Sequence, residues 1–256
     1  MDDKELSNLI ETKGYEFLDF GCSAGGSLGR YGKMFGAKGK GLGLDISPEK
    51  VKKTREAGFD AVECDLTKLR VEKKVRFIVM SHFLEHIPDA NDVEKIINNA
   101  CRSASEFVFI RQPYFDADPY LFKEGFKFFW SDWHGHPNNM TMLDIHNILS
   151  PILSKGTIRR FSLYGLDLVK DSSSPDIHNI NSPVDQHGWE AGKHSEKRFV
   201  DFSQPVYRET MAIVEIEEGI IEKVEKIFLK SAIKFFDSAG HNAGDRQKRH
   251  RWFTSL

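Results

Sequence analysis

A run of small residues follows an apolar segment near the start of the chain, FLDFGCSAGGSLG, residues 17–29. Gly21 and Gly25 would let a ligand approach the backbone closely. A strand, a small-residue turn and a helix N-terminus form an arrangement that often binds phosphate. The dinucleotide pattern G-x-G-x-x-G is incomplete, because Ser23 stands at its middle glycine, although Asp45 suits the acidic position some twenty residues on. These residues alone do not decide whether the ligand at this turn is a dinucleotide or another molecule.

Strands alternate with helices as far as residue 111, which predicts a parallel sheet with helices on both faces. The predicted strands of this part are Tyr15–Phe20, Lys40–Asp45, Asp60–Glu63, Val75–Ser81 and Glu106–Arg111. Later, Ile158–Lys170 and Met211–Glu217 are predicted strands, and Gly219–Phe236 has the apolar spacing of a helix. Residues 113–140 and 171–206 interrupt this pattern and lack clear periodicity.

Polar residues follow four of these strands: Asp19-x-Gly21-x-Ser23-x-Gly25, then Asp45, then ECDL with Asp65, then SHFLEHIPD from Ser81. In this order the segments resemble the motifs of class I S-adenosylmethionine-dependent methyltransferases. LEHIPD resembles the small-molecule type, including the enzymes of ubiquinone biosynthesis. The resemblance implies S-adenosylmethionine as cofactor, with Asp45 on the ribose and Asp65 and Leu66 at the adenine. The implied cofactor-binding residues are Asp19, Gly21, Cys22, Ser23, Gly25, Asp45, Ile46, Asp65, Leu66, Ser81 and His82.

Asp19 separates this ligand from a dinucleotide, because a carboxylate repels a pyrophosphate and attracts a cationic amino acid and sulfonium. The implied fold is an α/β, Rossmann-like, seven-stranded sheet of order 3-2-1-4-5-7-6 with strand 7 antiparallel. We therefore expect one methyltransferase domain over residues 1–240, followed by a basic tail over 241–256.

The two interruptions are predicted to cover the acceptor, because ligands of open α/β sheets bind outside the carboxyl ends of the strands. An oxygen acceptor needs a base or a metal, and His136, His86 and His82 are the candidate catalytic residues. Thr141 should cap the helix that follows the first insertion. Aromatic and imidazole side chains suit acceptor binding; these are Trp130, Trp133, His134, His187 and Trp189.

Ubiquinone-type methyltransferases hold a divalent metal with a Glu-x-x-Glu-His run. This chain has His82-x-x-Glu85-His86 and departs from the pattern at its first position. We therefore predict no metal, with these three residues as the alternative ligand set. Two imidazoles would favour Mn or Zn over Mg.

The net charge of −2 and the pI of about 6.6 argue against a nucleic-acid or membrane partner. Three cysteines without a CxxC motif predict a reduced, cytoplasmic setting. The expected function is methyl transfer to a small molecule, in particular a hydroxyl of a sugar or glycan or a related metabolite. Alternatives are a methyltransferase of nucleic acid or protein, an NAD-dependent oxidoreductase and a catalytically silent cofactor-binding protein. The oligomeric state stays open, a homodimer included.

Overall fold

The computed structural model describes residues 3–38, 40–71, 75–228 and 230–240. The predicted basic tail lies outside them. The helices are α1 Asp3–Lys13, α2 Gly26–Met34, α3 Pro48–Glu56, α4 Ala90–Ser103, α5 Asp118–Lys123, α6 Met142–Ser154 and α7 Ile220–Phe228. The strands are β1 Tyr15–Phe20, β2 Lys40–Asp45, β3 Asp60–Glu63, β4 Val75–Ser81, β5 Ala104–Pro113, β6 Phe126–Phe128, β7 Arg160–Asp171, β8 Ile177–Asn179, β9 Asp201–Glu215 and β10 Ala232–Asp237.

The large sheet has the strand order β3-β2-β1-β4-β5-β9-β7-β10. Strands β1 to β5 pair in parallel, whereas β9 runs antiparallel to both β5 and β7. The predicted order 3-2-1-4-5-7-6 is therefore confirmed, with β7 as its sixth strand and β9 as its seventh. The strand β10 adds an eighth member at the edge, antiparallel to β7.

Helices cover both faces of the sheet, so the central strands are apolar on both sides. Alternate residues of a strand point to opposite faces. In β4, Phe77 and Val79 join one buried apolar cluster, and Ile78 and Met80 join the other. This double burial is the reason that VRFIVMS reads as a continuous apolar run rather than as an alternating one.

Two predicted boundaries are wrong. The helix predicted over Gly219–Phe236 ends at Phe228, and Ala232–Asp237 forms β10 instead. The edge of β7 offers unpaired backbone groups, and their pairing outweighs the local helical pattern. The last predicted strand is also longer, because β9 begins at Asp201 within the segment predicted as a loop.

The two insertions meet in a small antiparallel sheet, in which β6 pairs with β8. Beyond the level of Pro113, which pairs with Glu209, strands β7 and β9 continue as a hairpin as far as the pair Asp171–Asp201. Insertions and hairpin together form a cap, residues 114–140 and 166–208, at the carboxyl ends of β4 and β5. Within the described part of the chain, no helix combines the length and apolar character needed to cross a bilayer.

Candidate active site

The turn after β1 is held to the end of β2 by a backbone hydrogen bond from the Gly21 amide to the Leu44 carbonyl, at 2.8 Å, and by bonds to the Asp45 carboxylate. Gly21 and Ser23 adopt left-handed conformations, with φ of 73° and 48°. The Ser23 amide donates to Asp45 Oδ2 at 3.2 Å, and the Ser47 amide donates to Oδ1 at 3.0 Å. A left-handed residue is ordinarily glycine, which explains why the usual motif has glycine at the position where this chain has Ser23. The bonds keep Asp45 beside the turn.

Asp19 is buried beneath this turn, with 1% of its surface exposed. Its Oδ2 accepts a hydrogen bond from the Ser27 hydroxyl, whereas Oδ1 has no hydrogen-bond partner among the described residues. Burial raises the pKa of Asp19 to about 7, and the charge of Asp45 adds to this effect. An unpartnered, buried carboxylate oxygen at this position is suited to an incoming cationic group.

The side chains of two predicted cofactor residues point elsewhere. Cys22 is buried against Thr54, with Sγ 3.5 Å from Oγ1, and burial raises the pKa of its thiol to about 11. Leu66 lies in the core at 5% exposure. Ile46, by contrast, is 67% exposed and offers an apolar surface beside Asp45. Asp65 accepts hydrogen bonds from the Thr67 amide and hydroxyl and pairs with Lys68, so it also caps its own turn.

His82 lies between two carboxylates at the end of β4. Its Nε2 is 2.8 Å from Glu209 Oε1, its Nδ1 is 3.4 Å from Glu85 Oε1, and Arg111 pairs with the other oxygen of Glu209. Burial lowers the pKa of His82, but the bonds to Glu209 and Glu85 outweigh it and raise the pKa to about 9. The raised pKa favours the protonated ring at neutral pH, which suits His82 less than His86 and His136 to the predicted role of general base.

The cap places His136 beside Glu85 and His86, which follow β4, and the three residues form a cluster. Ligand atoms of Glu85, His86 and His136 all lie within 4.8 Å of one another. The two imidazole ring centres are 5.0 Å apart, and the Trp133 ring packs edge-on against His136 at 4.6 Å. The predicted catalytic residues His86 and His136 thus share one site, although fifty positions separate them.

Known proteins share the fold on which this site is built. Residues 17–106 match the family model described as a methyltransferase domain. A SAM-dependent methyltransferase from Archaeoglobus fulgidus is 16% identical and superposes with a TM-score of 0.53 over 84% of this chain and 94% of that one. One from Thermotoga maritima is 9% identical, with a TM-score of 0.48 over 84% and 94%. No curated protein gives a significant sequence match.

Residues 17–106 are thus similar to a methyltransferase domain, and the chain has the fold of the SAM-dependent methyltransferase from Archaeoglobus fulgidus. The cofactor implied by this similarity is S-adenosylmethionine, and three residues of this chain fit it. The orphaned oxygen of Asp19 can take a cationic amine, the carboxylate of Asp45 can take ribose hydroxyls, and the exposed Ile46 can cover an apolar ring. A pyrophosphate would place negative charge beside Asp19.

The predicted acceptor-binding residues fall into two groups. Trp133 and the exposed His134 lie in the loop that carries His136, and the Trp133 ring also approaches His86, at 6.1 Å. Trp130 lies in the core of the cap at 6% exposure, stacked on Phe128 at 4.2 Å, so its ring is a packing element. Its carbonyl is 3.2 Å from Nδ1 of His136.

His187 and Trp189 belong to the second insertion. His187 pairs with Asp185, and the Trp189 indole donates to the Ser195 carbonyl while the Lys197 ammonium lies 4.9 Å above its ring. All of these partners belong to the second insertion, so within the described residues both side chains contact their own insertion rather than the cluster at Glu85.

Sequence reasoning missed Glu209 and Arg111, which hold His82 in place. Glu209 is 127 positions away from His82, and only the pairing of β9 with β5 brings it near. The available signal was a charged residue at the end of an otherwise apolar strand, as in EFVFIR and RETMAIVE.

Proposed function

We propose that this methyltransferase methylates a hydroxyl group of a small molecule, in particular a sugar, a glycan end or a related metabolite. The observation that carries the proposal is the pair of imidazoles, His86 and His136, beside the carboxyl end of β4. S-adenosylmethionine, when bound, supplies a methyl group on a positively charged sulfur. The residues of this chain have to bind the acceptor, exclude water and handle the hydroxyl proton.

The hydrogen bonds of both imidazoles favour acceptance of a hydroxyl proton. Nδ1 of His86 lies 2.6 Å from the Gly135 carbonyl, and Nδ1 of His136 lies 3.2 Å from the Trp130 carbonyl. A neutral ring in this arrangement carries its hydrogen on Nδ1, which leaves Nε2 as an acceptor. Burial also lowers the pKa of His136, which keeps this ring neutral. An amine acceptor would need such groups less, because a neutral amine is itself a nucleophile.

The surroundings favour a compact polyol acceptor. Trp133 places an aromatic surface beside the two imidazoles, and an aromatic face next to polar groups suits a sugar ring. The chain has no excess of basic residues, which a nucleic-acid acceptor would call for. We propose that the insertions 113–140 and 171–206 close over this acceptor and keep water from the reacting atoms.

The test offers labelled S-adenosylmethionine with pairs of acceptors that differ in a single hydroxyl or amine. We expect the label on the hydroxyl member, and we expect His136→Ala to lower kcat by about 10²-fold or more. His146→Ala is the matched control: it removes an imidazole of α6 that packs against Phe161 and Phe236, and it should retain activity. Labelling of the amine member alone, or full activity of His136→Ala, would contradict hydroxyl methylation.

A further inference from the structure

We propose that Glu85, His86 and His136 bind one divalent transition-metal ion. Their ligand atoms lie within 4.8 Å of one another. Bonds from such ions to nitrogen and oxygen are about 2.0–2.2 Å, so small side-chain rotations would bring the three groups onto one ion. The site joins the segment after β4 to the first insertion, and therefore it would also fasten the cap to the sheet.

The strongest indication comes from Glu85. Its side chain is fully buried, and neither of its carboxylate oxygens has a hydrogen-bond partner among the described residues. A buried carboxylate ordinarily needs such partners, because removing its charge from water is costly. The ion pair with His82, at 3.4 Å, involves Oε1. Oε2 therefore lacks the compensation that a cation would supply.

The two histidines are already oriented as ligands. Each directs Nδ1 at a backbone carbonyl, that of Gly135 for His86 and that of Trp130 for His136. Metal-bound histidines typically make such a bond with the nitrogen that does not touch the metal, because it fixes the tautomer and the ring orientation. The Nε2 atom of each ring is then the metal ligand.

This ligand set differs from the set that the sequence resemblance implies. His82, which stands at the first position of the ubiquinone-type pattern, directs one nitrogen to Glu209 and the other to Glu85. Neither nitrogen is free for a metal, so His82 is a positioning residue for Glu85. The third ligand is instead His136, which comes from the cap.

The donor chemistry selects the metal. Two imidazole nitrogens and one carboxylate suit Mn, Fe, Co or Zn, whereas Mg and Ca prefer sites made of oxygen. Three protein ligands leave positions open on the ion, as in catalytic rather than structural sites. The acceptor oxygen could occupy one of these positions.

Metal binding stands on these contacts alone, but its catalytic use rests on the proposed function. A bound cation lowers the pKa of a coordinated hydroxyl. His86 and His136 would then act as ligands instead of proton acceptors, and the hydroxyl proton would leave to solvent as the acceptor binds, before the insertions close over it. The acceptor oxygen forms a bond to the methyl carbon while the carbon–sulfur bond breaks, and its electron pair goes to sulfur.

The test titrates the chelator-treated full chain with MnCl₂, ZnCl₂ and MgCl₂ by calorimetry, with electron paramagnetic resonance to count bound Mn. We expect one site for Mn and Zn, with Mg at least tenfold weaker. Glu85→Gln and His136→Ala should each weaken Mn binding at least tenfold, whereas His146→Ala, which removes an imidazole packed against Phe161 and Phe236, should leave it unchanged. Thermal unfolding without metal shows whether each variant is folded, and the metal-induced rise in Tm should vanish in Glu85→Gln.

The absence of stoichiometric Mn or Zn binding, or unchanged binding by folded Glu85→Gln, would overturn the metal site. Methylation assays with and without Mn separate the two proposals. If methyl transfer to a hydroxyl is as fast in the presence of chelator as with Mn, the proposed function stands and the catalytic use of the metal is overturned. Metal binding with transfer only to an amine would overturn hydroxyl methylation and leave the metal site standing.

Discussion

Two ionisable residues at the carboxyl edge of the sheet, the buried Asp19 and the more exposed His82, both have a raised pKa, but for different reasons. Asp19 has the Ser27 hydroxyl and the like charge of Asp45 nearby, so burial dominates and raises its pKa to about 7. His82 lies between Glu85 and Glu209, and its bonds to these carboxylates outweigh desolvation and raise its pKa to about 9. The opposite charges within reach therefore decide which form of each group is favoured.

The first prediction concerns the pH dependence of cofactor binding. Asp19 is protonated below about pH 7, and a cationic ligand favours the carboxylate, so affinity for S-adenosylmethionine should fall as the pH drops from about 7 to 5. Asp19→Asn should weaken binding about 10- to 100-fold at pH 7.5, because a charged hydrogen-bond partner is worth about 1.5–3 kcal/mol. The dependence on pH should also disappear. Calorimetry across this range measures both effects.

Glu63→Gln, which changes an exposed carboxylate at the end of β3, is the control and should behave as the unaltered chain. Undiminished affinity of Asp19→Asn at pH 7.5 would show that the carboxylate does not face the cofactor.

At the scale of elements, the helix α6 anchors the loop that carries Trp133 and His136. Thr141 caps the helix, accepting a hydrogen bond from the Asp144 amide, and Asp144 in turn accepts from the Thr141 amide. The half-buried carboxylate of Asp116 accepts from the Met142 amide at 3.1 Å. The predicted role of Thr141 is confirmed, and these bonds satisfy the donors that a helix leaves unpaired at its start.

Removal of this cap should therefore cost stability. We expect Thr141→Ala to lower the free energy of unfolding by about 1 kcal/mol, the usual effect of a lost N-cap. Thr12→Ala, at an exposed position inside α1, makes the same chemical change without removing a cap and should have little effect. Urea unfolding of the two variants checks the difference, and equal stabilities would mean that Asp116 alone satisfies the start of α6.

At the scale of the whole molecule, two insertions far apart in the chain fold into one cap over the sheet. The pairing of β6 with β8 joins them, and His178 lies at this junction, fully buried and 4.5 Å from the His194 ring. Neither ring nitrogen of His178 has a hydrogen-bond partner among the described residues. Burial, followed by the influence of His194, lowers the pKa of His178 to about 4.

The junction should therefore be sensitive to acid. The unfolded chain binds a proton at His178 below about pH 6.5, whereas the folded chain does so only near pH 4, so stability should fall as the pH drops through this window. His178→Phe should reduce that loss, as measured by Tm from pH 7 to 4. His134→Phe makes the same change at an exposed position and should retain the full loss. An unchanged pH profile in His178→Phe would exclude this residue as the sensor.

The residues that follow the first four strands could be found from the sequence, because each belongs to a short local pattern. Buried strands are apolar runs, and chemistry in a parallel sheet lies where such runs end, so Asp19, Asp45 and Glu85 were identifiable without coordinates. The order of seven strands followed from the same patterns together with the family resemblance.

Only the tertiary structure decided which side chains meet. The pairing of His136 with Glu85 and of Glu209 with His82 depends on contacts across 51 and 127 positions, which no local periodicity encodes. The pairing of β10 with β7 overrode a helical pattern for the same reason. The sequence by itself thus determined the residues that fit the cofactor, whereas long-range packing of the cap assembled the cluster of Glu85, His86 and His136.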